Sequence, residues 1–315
     1  MEITPELIAR GAALLRQGGV VAFPTETVYG LGANALDPAA IARIYEIKQR
    51  PRSSPLIVHV SSIAMARDLV NDWPDKAEIL ARNFWPGPLT LVLPKSARVP
   101  RELTAGLETV GLRMPAHPIA LALIEQAGVP IAAPSANRFT QLSPTSAQHV
   151  ERGLGAAVDL ILSGGPSQVG IESTVLSLAL ELPMLLRPGM ITRTQIENCI
   201  GPIGVLDTVL NTVDGAHPSP GMHEKHYSPK TPLYIVRGSE GLPPSGRGVY
   251  LFLTVPGVAG HAVPMPHEPS DYARVLYDTL HRQDHEGWDW LAVEQAPESA
   301  EWAGIVDRLK RASVR

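Results

Sequence analysis

The sequence predicts an α/β protein with some α+β character, in which helices flank a twisted mixed sheet and a smaller α/β domain follows. In the first two hundred residues, short apolar segments alternate with amphipathic helical segments. The predicted strands are short and several could pair antiparallel, which favours a mixed sheet over a regular parallel one. After a region rich in proline, glycine and histidine, β/α alternation resumes, which indicates a second, parallel sheet.

Composition limits the class of protein. The 315 residues suffice for two domains, and 44% hydrophobic residues support a real core. A net charge of −4 argues against a nucleic-acid surface along the whole chain. The single cysteine excludes a disulfide framework and fits a reducing cytosol. The sequence has no apolar run that would span a bilayer and no signal peptide, so we expect a soluble, cytoplasmic protein without a membrane partner.

Capping residues and glycines mark the helices of the first domain. The predicted helices begin at Thr4-Pro5, at Asp37-Pro38 and at Ser61 or Ser62, and they end at Gly18-Gly19, near Lys48 and near Val70. The predicted strands are "VVAFPT", "PLIVHV", "LTLVLP", "VGLRMP", "PIAAPSAN" and "VDLILSGG", and "STVLSL" with "MLLRPG" resembles a hairpin.

The chain changes character near residue 204. "DGAHPSPGMHEKHYSPKTP" lacks periodicity and predicts an extended linker. "LYIV", "GVYLFL" and "WLAVE" then predict strands, and "SDYARVLYDTLHRQD" and "SAEWAGIVDRLKRA" predict helices. We therefore expect a catalytic domain at 1–204, a linker at 205–231 and a small three-layer, Rossmann-like α/β domain at 232–315.

The sequence has none of the standard catalytic or phosphate-binding templates, such as a P-loop, H-E-x-x-H or G-x-S-x-G. Basic and hydroxyl-bearing residues instead lie at predicted strand ends: Thr27, His59, Arg113, Ser135, Asn137, Ser173 and Arg187. Each has an ordinary alternative, such as a capped turn for Thr27 or a core histidine for His59. Arg113 has no acidic neighbour in its strand, so it needs an anion from elsewhere, such as a substrate. Together the set suits neutralisation of a polyanion better than covalent catalysis.

The segment "KQRPRSSPL", residues 48–56, poses the same question in one place. Lys48, Arg50 and Arg52 occupy alternate positions, with Pro51 between the two arginines and Pro55 after them. This pattern is typical of a solvated loop, but it also fits an anion clamp on a rigid turn. Composition alone favours the loop, and Arg52 has no assigned role.

The motifs "PTETVYGLGANA", "YEIKQRPRSSPLIVHV", "WPGPLTLVL", "VGLRMPAHP", "PIAAPSANRFTQLSPTSAQHV", "GIESTVLSL", "LLRPGMIT" and "SPGMHEKHYSPKTPLY" occur in that order. They resemble the threonylcarbamoyl-AMP synthases of the YrdC-like superfamily. The tail "YARVLYDTLHRQDHEGWDWLAVEQAP" resembles the C-terminal domain of the long members, although "ESAEWAGIVDRL" replaces their usual Gly-Leu-Gly segment. The resemblance therefore implies a YrdC-like fold for the first domain.

The resemblance also implies an activity. The family makes L-threonylcarbamoyl-AMP and pyrophosphate from L-threonine, bicarbonate and ATP, with Mg²⁺ on the triphosphate. Other proteins then transfer the threonylcarbamoyl group to tRNA, so weak or no direct tRNA binding is expected. No protein metal site is expected, because Mg²⁺ is held through the ATP phosphates.

Site residues follow from the motif positions. The resemblance implies catalytic roles around the triphosphate for Lys48, Arg50, Ser135 and Asn137. It implies ATP contacts for Arg50, Ser54, Thr109, Ser135, Ser143, Arg187, His226 and Tyr227. It implies threonine contacts for Thr27, His59, Arg113 and Ser173. The linker, with His226 and Tyr227, is expected to close over the nucleotide as a lid.

Two alternatives remain open. A carbamoyl-transfer domain of the hydrogenase-maturation type shares the core motifs, but it belongs to larger chains with additional cysteine motifs. An RNA-binding module would place nucleic acid in the basic groove, although the chain lacks interleaved aromatic and basic residues. Pyrophosphate release that depends on both threonine and bicarbonate separates the synthase from both.

Overall fold

The computed structural model describes residues 4–206, 226–254 and 261–314. The helices in these ranges are α1 (Pro5–Arg16), α2 (Pro38–Lys48), α3 (Ile63–Arg67), α4 (Asp75–Phe84), α5 (Pro118–Ala127), α6 (Ala147–Gly153), α7 (Arg193–Ile200), α8 (Pro269–Gln283) and α9 (Ala303–Ala312). The strands are β1 (Val21–Phe23), β2 (Gly30–Asn34), β3 (Ile57–His59), β4 (Leu89–Pro94), β5 (Thr109–Arg113), β6 (Ile131–Ala132), β7 (Leu160–Ile161), β8 (Thr174–Ser177), β9 (Met184–Arg187), β10 (Gly204–Val205), β11 (Leu233–Val236), β12 (Gly248–Phe252), β13 (Ala262–Pro264) and β14 (Trp290–Glu294).

The predicted helix starts are confirmed, because the capping side chains satisfy backbone N–H groups of the first turn. Thr4 accepts from the Leu7 N–H, and Asp37 accepts from the Ala39 N–H at 2.9 Å. Ser62 caps α3, which ends at Arg67 and not near Val70.

The first sheet is mixed, as predicted. Within residues 4–206 its strand order is β10-β9-β8-β4-β5-β3-β6-β2-β1-β7. The sheet contains both antiparallel neighbours, such as β4 and β5, and parallel neighbours, such as β3 and β5. The predicted hairpin is confirmed as the antiparallel pair β8 and β9.

Helices cover both faces of this sheet. On one face, α1 and α5 pack on Val21 and Phe23 of β1. On the other face, α2, α4 and α7 contribute to the larger cluster that contains Ala22. Because successive side chains of a strand point to opposite faces, β1 serves both cores. The sheet is therefore buried on both sides, and its strand ends remain to form a site.

The second sheet is parallel, as predicted, with the order β11-β14-β12-β13 among the described strands. Helices α8 and α9 share one hydrophobic cluster with Leu251 and Val293. Tyr250 and Ala292, on the other face, belong to a small separate cluster. Both described helices of this region therefore cover one face, so its described part forms two layers where the sequence predicted three.

The two sheets belong to regions that touch closely. A Cβ added at Gly304 of α9 would lie 2.9 Å from the Cα of Gly189, so the two backbones meet without side chains between them. Gly170 has φ +82°, and an added Cβ would lie 2.3 Å from the carbonyl oxygen of Ala273 in α8. The predicted boundaries at 204 and 231 stay predictions, and most of the predicted linker lies outside the described residues. No helix among the described residues is long and apolar enough to cross a membrane.

Candidate active site

One cavity collects side chains from the ends of several strands of the first sheet. Nine of the fourteen predicted site residues line it. They come from the β1–β2 loop, the turn after α2, the strands β3, β5 and β9, the segments next to β6 and β8, and the end of the predicted linker. These residues are Thr27, Arg50, His59, Arg113, Ser135, Ser173, Arg187, His226 and Tyr227. Lys48, Ser54, Thr109, Asn137 and Ser143 are not among its lining residues.

Arg113 has a carboxylate partner from elsewhere in the chain, as expected for a buried arginine, and that partner is Glu26 of the β1–β2 loop. The Nη2 atom of Arg113 lies 2.6 Å from Oε1 of Glu26, so the two side chains form an ion pair. The geometry of this contact does not meet the requirements of a hydrogen bond. Nη1 donates to Thr27 Oγ1 at 2.8 Å, and Nε donates to the Gly87 carbonyl at 3.2 Å. The sequence separates Glu26 from Arg113 by 87 positions, so inspection of the strand alone could not find the pair. Glu26 also accepts from the Ala116 N–H at 3.0 Å, which fixes its carboxylate.

His59 lies beside this ion pair. Strand β3 pairs with β5 so that His59 is opposite Arg113, and the edge of Phe23 meets the imidazole at a centroid distance of 6.2 Å. Burial, and then the positive charge of Arg113, lower the pKa of His59 well below its ordinary value, so the ring is neutral. Among the described residues, Nδ1 of His59 has no hydrogen-bond partner. A neutral, buried imidazole next to a cavity suits a ligand hydroxyl.

The turn between β1 and β2 gives this half of the cavity its hydroxyl groups. Thr25 Oγ1 lies 2.9 Å from Thr27 Oγ1 and donates to the Val28 carbonyl at 2.6 Å. The Ser167 hydroxyl donates to the Thr25 carbonyl at 3.0 Å. The turn is therefore capped by its own side chains, as the sequence allowed, and it also forms part of the cavity wall, because Thr25 and Thr27 both line the cavity.

Arg50 lines the cavity from the turn that follows α2. Gln49 at the end of the helix has φ +54°, and this left-handed residue turns the chain back so that the Arg50 N–H bonds the Tyr45 carbonyl. The guanidinium donates to the carbonyls of Ser54 and Pro55, at 3.3 and 3.1 Å. Burial lowers the pKa of Arg50 to about 10, so it still carries its charge at neutral pH. "KQRPRSSPL" is therefore a folded turn and not only a solvated loop.

Lys48 does not line the cavity, which corrects the expectation that it faces the phosphates. Its side chain is 1% exposed, and Nζ donates to the carbonyls of Ser135 and Asn137, both at 2.5 Å. Burial, followed by the nearby Arg50 charge, lowers the pKa of Lys48 well below its ordinary value. Because α2 ends against the segment after β6, the ammonium fixes that backbone from behind the cavity wall.

Ser135 and Asn137, two positions apart as residues on one face of a strand would be, do not point into the same cavity. Strand β6 ends at Ala132, so the two-residue period no longer applies beyond it. Ser135 lines the cavity, whereas Asn137 lines a neighbouring cavity with Arg138 and Gln141. The Asn137 amide donates to the carbonyls of Arg138 and Gln141, both at 2.8 Å, so it shapes the loop.

Arg187, at the end of β9, connects three of the predicted residues. It donates to the Ser173 carbonyl at 3.1 Å, to the Ser173 hydroxyl at 3.2 Å and to the Tyr227 hydroxyl at 3.4 Å. The Ser173 hydroxyl also lies 2.8 Å from that of Thr90. This network joins the residues predicted for the nucleotide to one predicted for threonine.

The remaining predicted residues lie behind or beside the cavity wall. Ser54 is fully buried, and its carbonyl accepts from Arg50 and from the Tyr45 hydroxyl. Thr109 lines a separate small cavity with Pro55 and Thr104. Ser143 donates to the Glu172 carboxylate at 2.5 Å.

A second buried ion pair, Glu172 with Arg308, lies at the cavity wall and was not expected from the sequence. Glu172 stands in "GIEST" and lines the cavity, and its carboxylate accepts from Arg308 Nε at 2.7 Å. Burial alone would raise the pKa of Glu172, but the charges of Arg308 and Arg187 and the Ser143 hydrogen bond outweigh it and lower that pKa. The acidic residue in the motif "GIEST" could have indicated Glu172 as a site residue. No feature of the sequence near Arg308 indicates that it pairs with Glu172.

The described end of the linker covers part of the cavity. The His226 ring meets the edges of Phe139 and Tyr227 at centroid distances of 5.5 and 4.1 Å. The His226 N–H bonds the Arg311 carbonyl at 3.1 Å, and the Ser228 N–H bonds the Thr140 carbonyl at 2.8 Å. These residues therefore connect the second region to the loop beside the cavity. The lid itself stays a prediction, because residues 207–225 lie outside the described ranges.

Comparison with known proteins identifies relatives along the whole length. Residues 13–189 match the Sua5, YciO and YrdC family model described as telomere recombination, and residues 191–314 match the one described as threonylcarbamoyl-AMP synthase, C-terminal domain. The threonylcarbamoyl-AMP synthase of Bacillus subtilis is 44% identical, over 99% of this chain and 96% of the relative. The one from Pyrococcus abyssi is 41% identical, over 96% of this chain and 92% of the relative.

A solved structure gives the same result. The crystal structure of P. abyssi Sua5 complexed with L-threonine superposes with a TM-score of 0.92 and 40% identity. The superposition covers 99% of this chain and 96% of that one, so both sheets take part.

Proposed function

This chain belongs to the threonylcarbamoyl-AMP synthase family, and we propose on that basis that it converts L-threonine, bicarbonate and ATP into L-threonylcarbamoyl-AMP and pyrophosphate. The single observation that carries the proposal is one cavity lined by residues assigned to both substrates, with Arg113 and His59 on one side and Arg50 and Arg187 on the other. It is thus a nucleotidyltransferase, because an adenylyl group moves to a carbamate. Neither the RNA-binding nor the hydrogenase-maturation alternative matches the names of the full-length relatives.

The threonine end of the cavity suits an amino acid. The Arg113 guanidinium is fixed by Thr27, Gly87 and Glu26. It is the group that holds the substrate carboxylate, since a planar guanidinium bonds a carboxylate through two N–H groups. The neutral His59 ring then bonds the threonine hydroxyl, and a site built around a hydroxyl rejects analogues without it.

The nucleotide end stabilises negative charge. The threonine amine and bicarbonate form a carbamate with loss of water, and a carbamate oxygen attacks the α-phosphorus of ATP while the bond to pyrophosphate breaks. An anion approaches an anion, so charge repulsion and alignment dominate the barrier. Arg50 and Arg187, which both line the cavity, reduce that repulsion, and Lys48 holds the backbone at Ser135 in place. No protein nucleophile is required.

Magnesium enters this proposal as part of the nucleotide substrate. Among the described residues there is no group of three His, Cys, Asp or Glu side chains that could hold a metal ion. The two carboxylates next to the cavity, Glu26 and Glu172, are paired with Arg113 and Arg308. We propose that the phosphate oxygens of ATP hold the ion, where it neutralises part of the triphosphate charge.

Pyrophosphate release tests the proposed function. The full chain is incubated with ATP and Mg²⁺, with threonine and bicarbonate added singly and together, and the adenylate product is identified by mass spectrometry. We expect release and product only with both co-substrates. Release that is indifferent to threonine would show that the chain hydrolyses ATP and is not this synthase.

The product also implies a partner. An acyl adenylate hydrolyses readily, so we propose that a separate tRNA-modifying protein consumes it soon after release and that this chain does not hold tRNA tightly. The cytoplasmic location stays a prediction from the sequence.

A further inference from the structure

An arginine of the second region reaches the wall of the active-site cavity. Arg308 of α9 is 1% exposed, and its Nε atom donates to Oε2 of Glu172 at 2.7 Å. Its Nη2 donates to the Glu172 carbonyl at 3.0 Å, and its Nη1 donates to the Pro188 carbonyl at 2.9 Å. Three bonds from one side chain therefore hold the chain on both sides of the β8–β9 hairpin.

Glu172 is the centre of a small network behind the nucleotide side of the cavity. Its Oε1 accepts from the Ser143 hydroxyl at 2.5 Å, and Oε2 also accepts from the Tyr277 hydroxyl of α8 at 3.1 Å. Both helices of the second region thus donate to a carboxylate that lines the cavity. The orientation of the Ser143 hydroxyl depends on where this carboxylate lies.

Arg308 also contacts the other side of the same wall. Its guanidinium lies over the ring of Tyr227 at 5.4 Å from the centroid, and the Tyr227 hydroxyl accepts from Arg187 at 3.4 Å. Arg308 therefore touches two cavity-lining residues, and each of them bonds a residue assigned to ATP.

Stability alone is a poor explanation for this arrangement. Buried ion pairs often contribute less to folding than apolar residues of the same volume would, because both charges lose their hydration. An apolar interface between the two regions already exists, since Ile171, Tyr272 and Ile305 share one cluster. A charged pair at the cavity wall is thus better explained by what it holds in place.

We propose that Arg308 is a positioning residue for the nucleotide side of the active site. It fixes Glu172 and Tyr227, through which it sets the positions of Ser143 and Arg187. The inference rests on the proposed function, and it gives the second region an indirect role in ATP binding.

The test compares Arg308→Gln with Arg311→Gln in the full chain. Arg311 lies one turn further along α9 and pairs with Asp307, which also accepts from Arg308 Nη1 at 2.8 Å and therefore keeps a partner in this control. The bond between the Arg311 carbonyl and His226 does not depend on the side chain. We expect Arg308→Gln to weaken ATP binding in calorimetry about tenfold to hundredfold, as expected for a lost charged hydrogen bond. Threonine binding changes less than about threefold, and Arg311→Gln matches the unaltered chain.

A double-variant cycle separates positioning from folding. Arg308→Gln lowers the unfolding midpoint, because it leaves the buried Glu172 carboxylate without its charged partner. The double variant Glu172→Gln/Arg308→Gln also removes that carboxylate charge, so we expect its unfolding midpoint to recover much of the loss. We expect the double variant and the two single variants to bind ATP with the same reduced affinity. If the double variant recovers normal ATP affinity together with stability, or if the two losses add, Arg308 does not act through Glu172. If Arg308→Gln does not fold, the ATP affinity of the double variant tests the positioning role, and a normal affinity contradicts it.

Failure of this inference is distinguishable from failure of the proposed function. If the unaltered chain neither binds ATP nor releases pyrophosphate, the function is wrong. If the unaltered chain does both and Arg308→Gln matches it in ATP affinity, only the positioning role is wrong.

Discussion

Replacing Arg113 by lysine tests the threonine end of the site while keeping its charge. The guanidinium uses three nitrogens at once, for Gly87, Thr27 and Glu26. A lysine ammonium can still pair with Glu26, but it cannot present two parallel N–H groups to a carboxylate. The variant therefore removes the fork without leaving a buried acid unpaired.

The expected loss follows from the kind of bond removed. One charged hydrogen bond contributes about 1.5–3 kcal/mol, so threonine affinity falls by about tenfold to 150-fold. ATP affinity is expected to change by no more than about twofold, because the proposed ATP contacts, Arg50 and Arg187, have no hydrogen bond to Arg113 among the described residues and keep their own partners in the variant. Arg113→Ala is a harsher change, since the unpaired Glu26 lowers the free energy of unfolding by about 3–5 kcal/mol.

Isothermal calorimetry with L-threonine and with ATP measures both affinities on the same preparation. Arg43→Lys is the control, because Arg43 forms a partly exposed ion pair with Asp159 away from the cavity. Urea unfolding confirms that Arg113→Lys is folded. An equal loss of threonine and ATP affinity, or unchanged threonine affinity, would show that Arg113 does not hold the threonine carboxylate.

Three further expectations concern the hydroxyl side of the site, the pH dependence of stability and the contact between the two regions. His59→Leu should reduce the preference for threonine over 2-aminobutyrate, measured as the ratio of the two kcat/KM values, at least about tenfold; an unchanged ratio excludes His59 as the hydroxyl partner. Burial lowers the pKa of both stacked histidines, His149 and His281, to about 4, so the folded state binds fewer protons than the unfolded one below about pH 6.5. The free energy of unfolding should fall between pH 6.5 and 4 by up to about 1.4 kcal/mol per pH unit for each ring, and His281→Gln should make the slope shallower; an unchanged slope means that other groups cause the loss. Gly170→Ala should cost more free energy of unfolding than Gly128→Ala, by about 1–3 kcal/mol, because both glycines have positive φ but only Gly170 faces a backbone at 2.3 Å; equal losses in urea unfolding contradict the close approach.

The features that depend on local chemistry could be predicted from the sequence. A cap such as Thr4 or Asp37 acts within its own helical turn, so the helix start is visible in a few residues. Strand β2 was not predicted, because "GLGAN" has two glycines and no β-branched residue. Its pairing with β1 and β6 imposes the strand, and a Cβ at Gly32 would lie 2.7 Å from the Phe23 ring.

The site shows the same division. Residue types and their places at strand ends pointed to one site, and six of the seven residues found in this way line the cavity. The family resemblance added three more lining residues, Arg50, His226 and Tyr227. What could not be predicted were the pairings, because Glu26 with Arg113 and Glu172 with Arg308 join positions 87 and 136 apart in the sequence. Lys48 was misplaced for a related reason, since its contacts with the Ser135 and Asn137 carbonyls depend on where α2 ends in space.

These pairings give the two ends of the cavity different electrostatics. At the threonine end, Arg113 is balanced by Glu26, so the site presents a matched charge pair with a neutral His59 beside it. An amino acid is itself a zwitterion, and a balanced site binds it without leaving a net buried charge. At the other end, the Arg50 guanidinium bonds carbonyl oxygens, and these compensate its charge only partly. A partly compensated cation is stabilised further when a polyanion arrives, so this end gains most from a nucleotide triphosphate. The charge distribution of the cavity lining therefore supports the proposed placement of threonine beside Arg113 and of ATP beside Arg50.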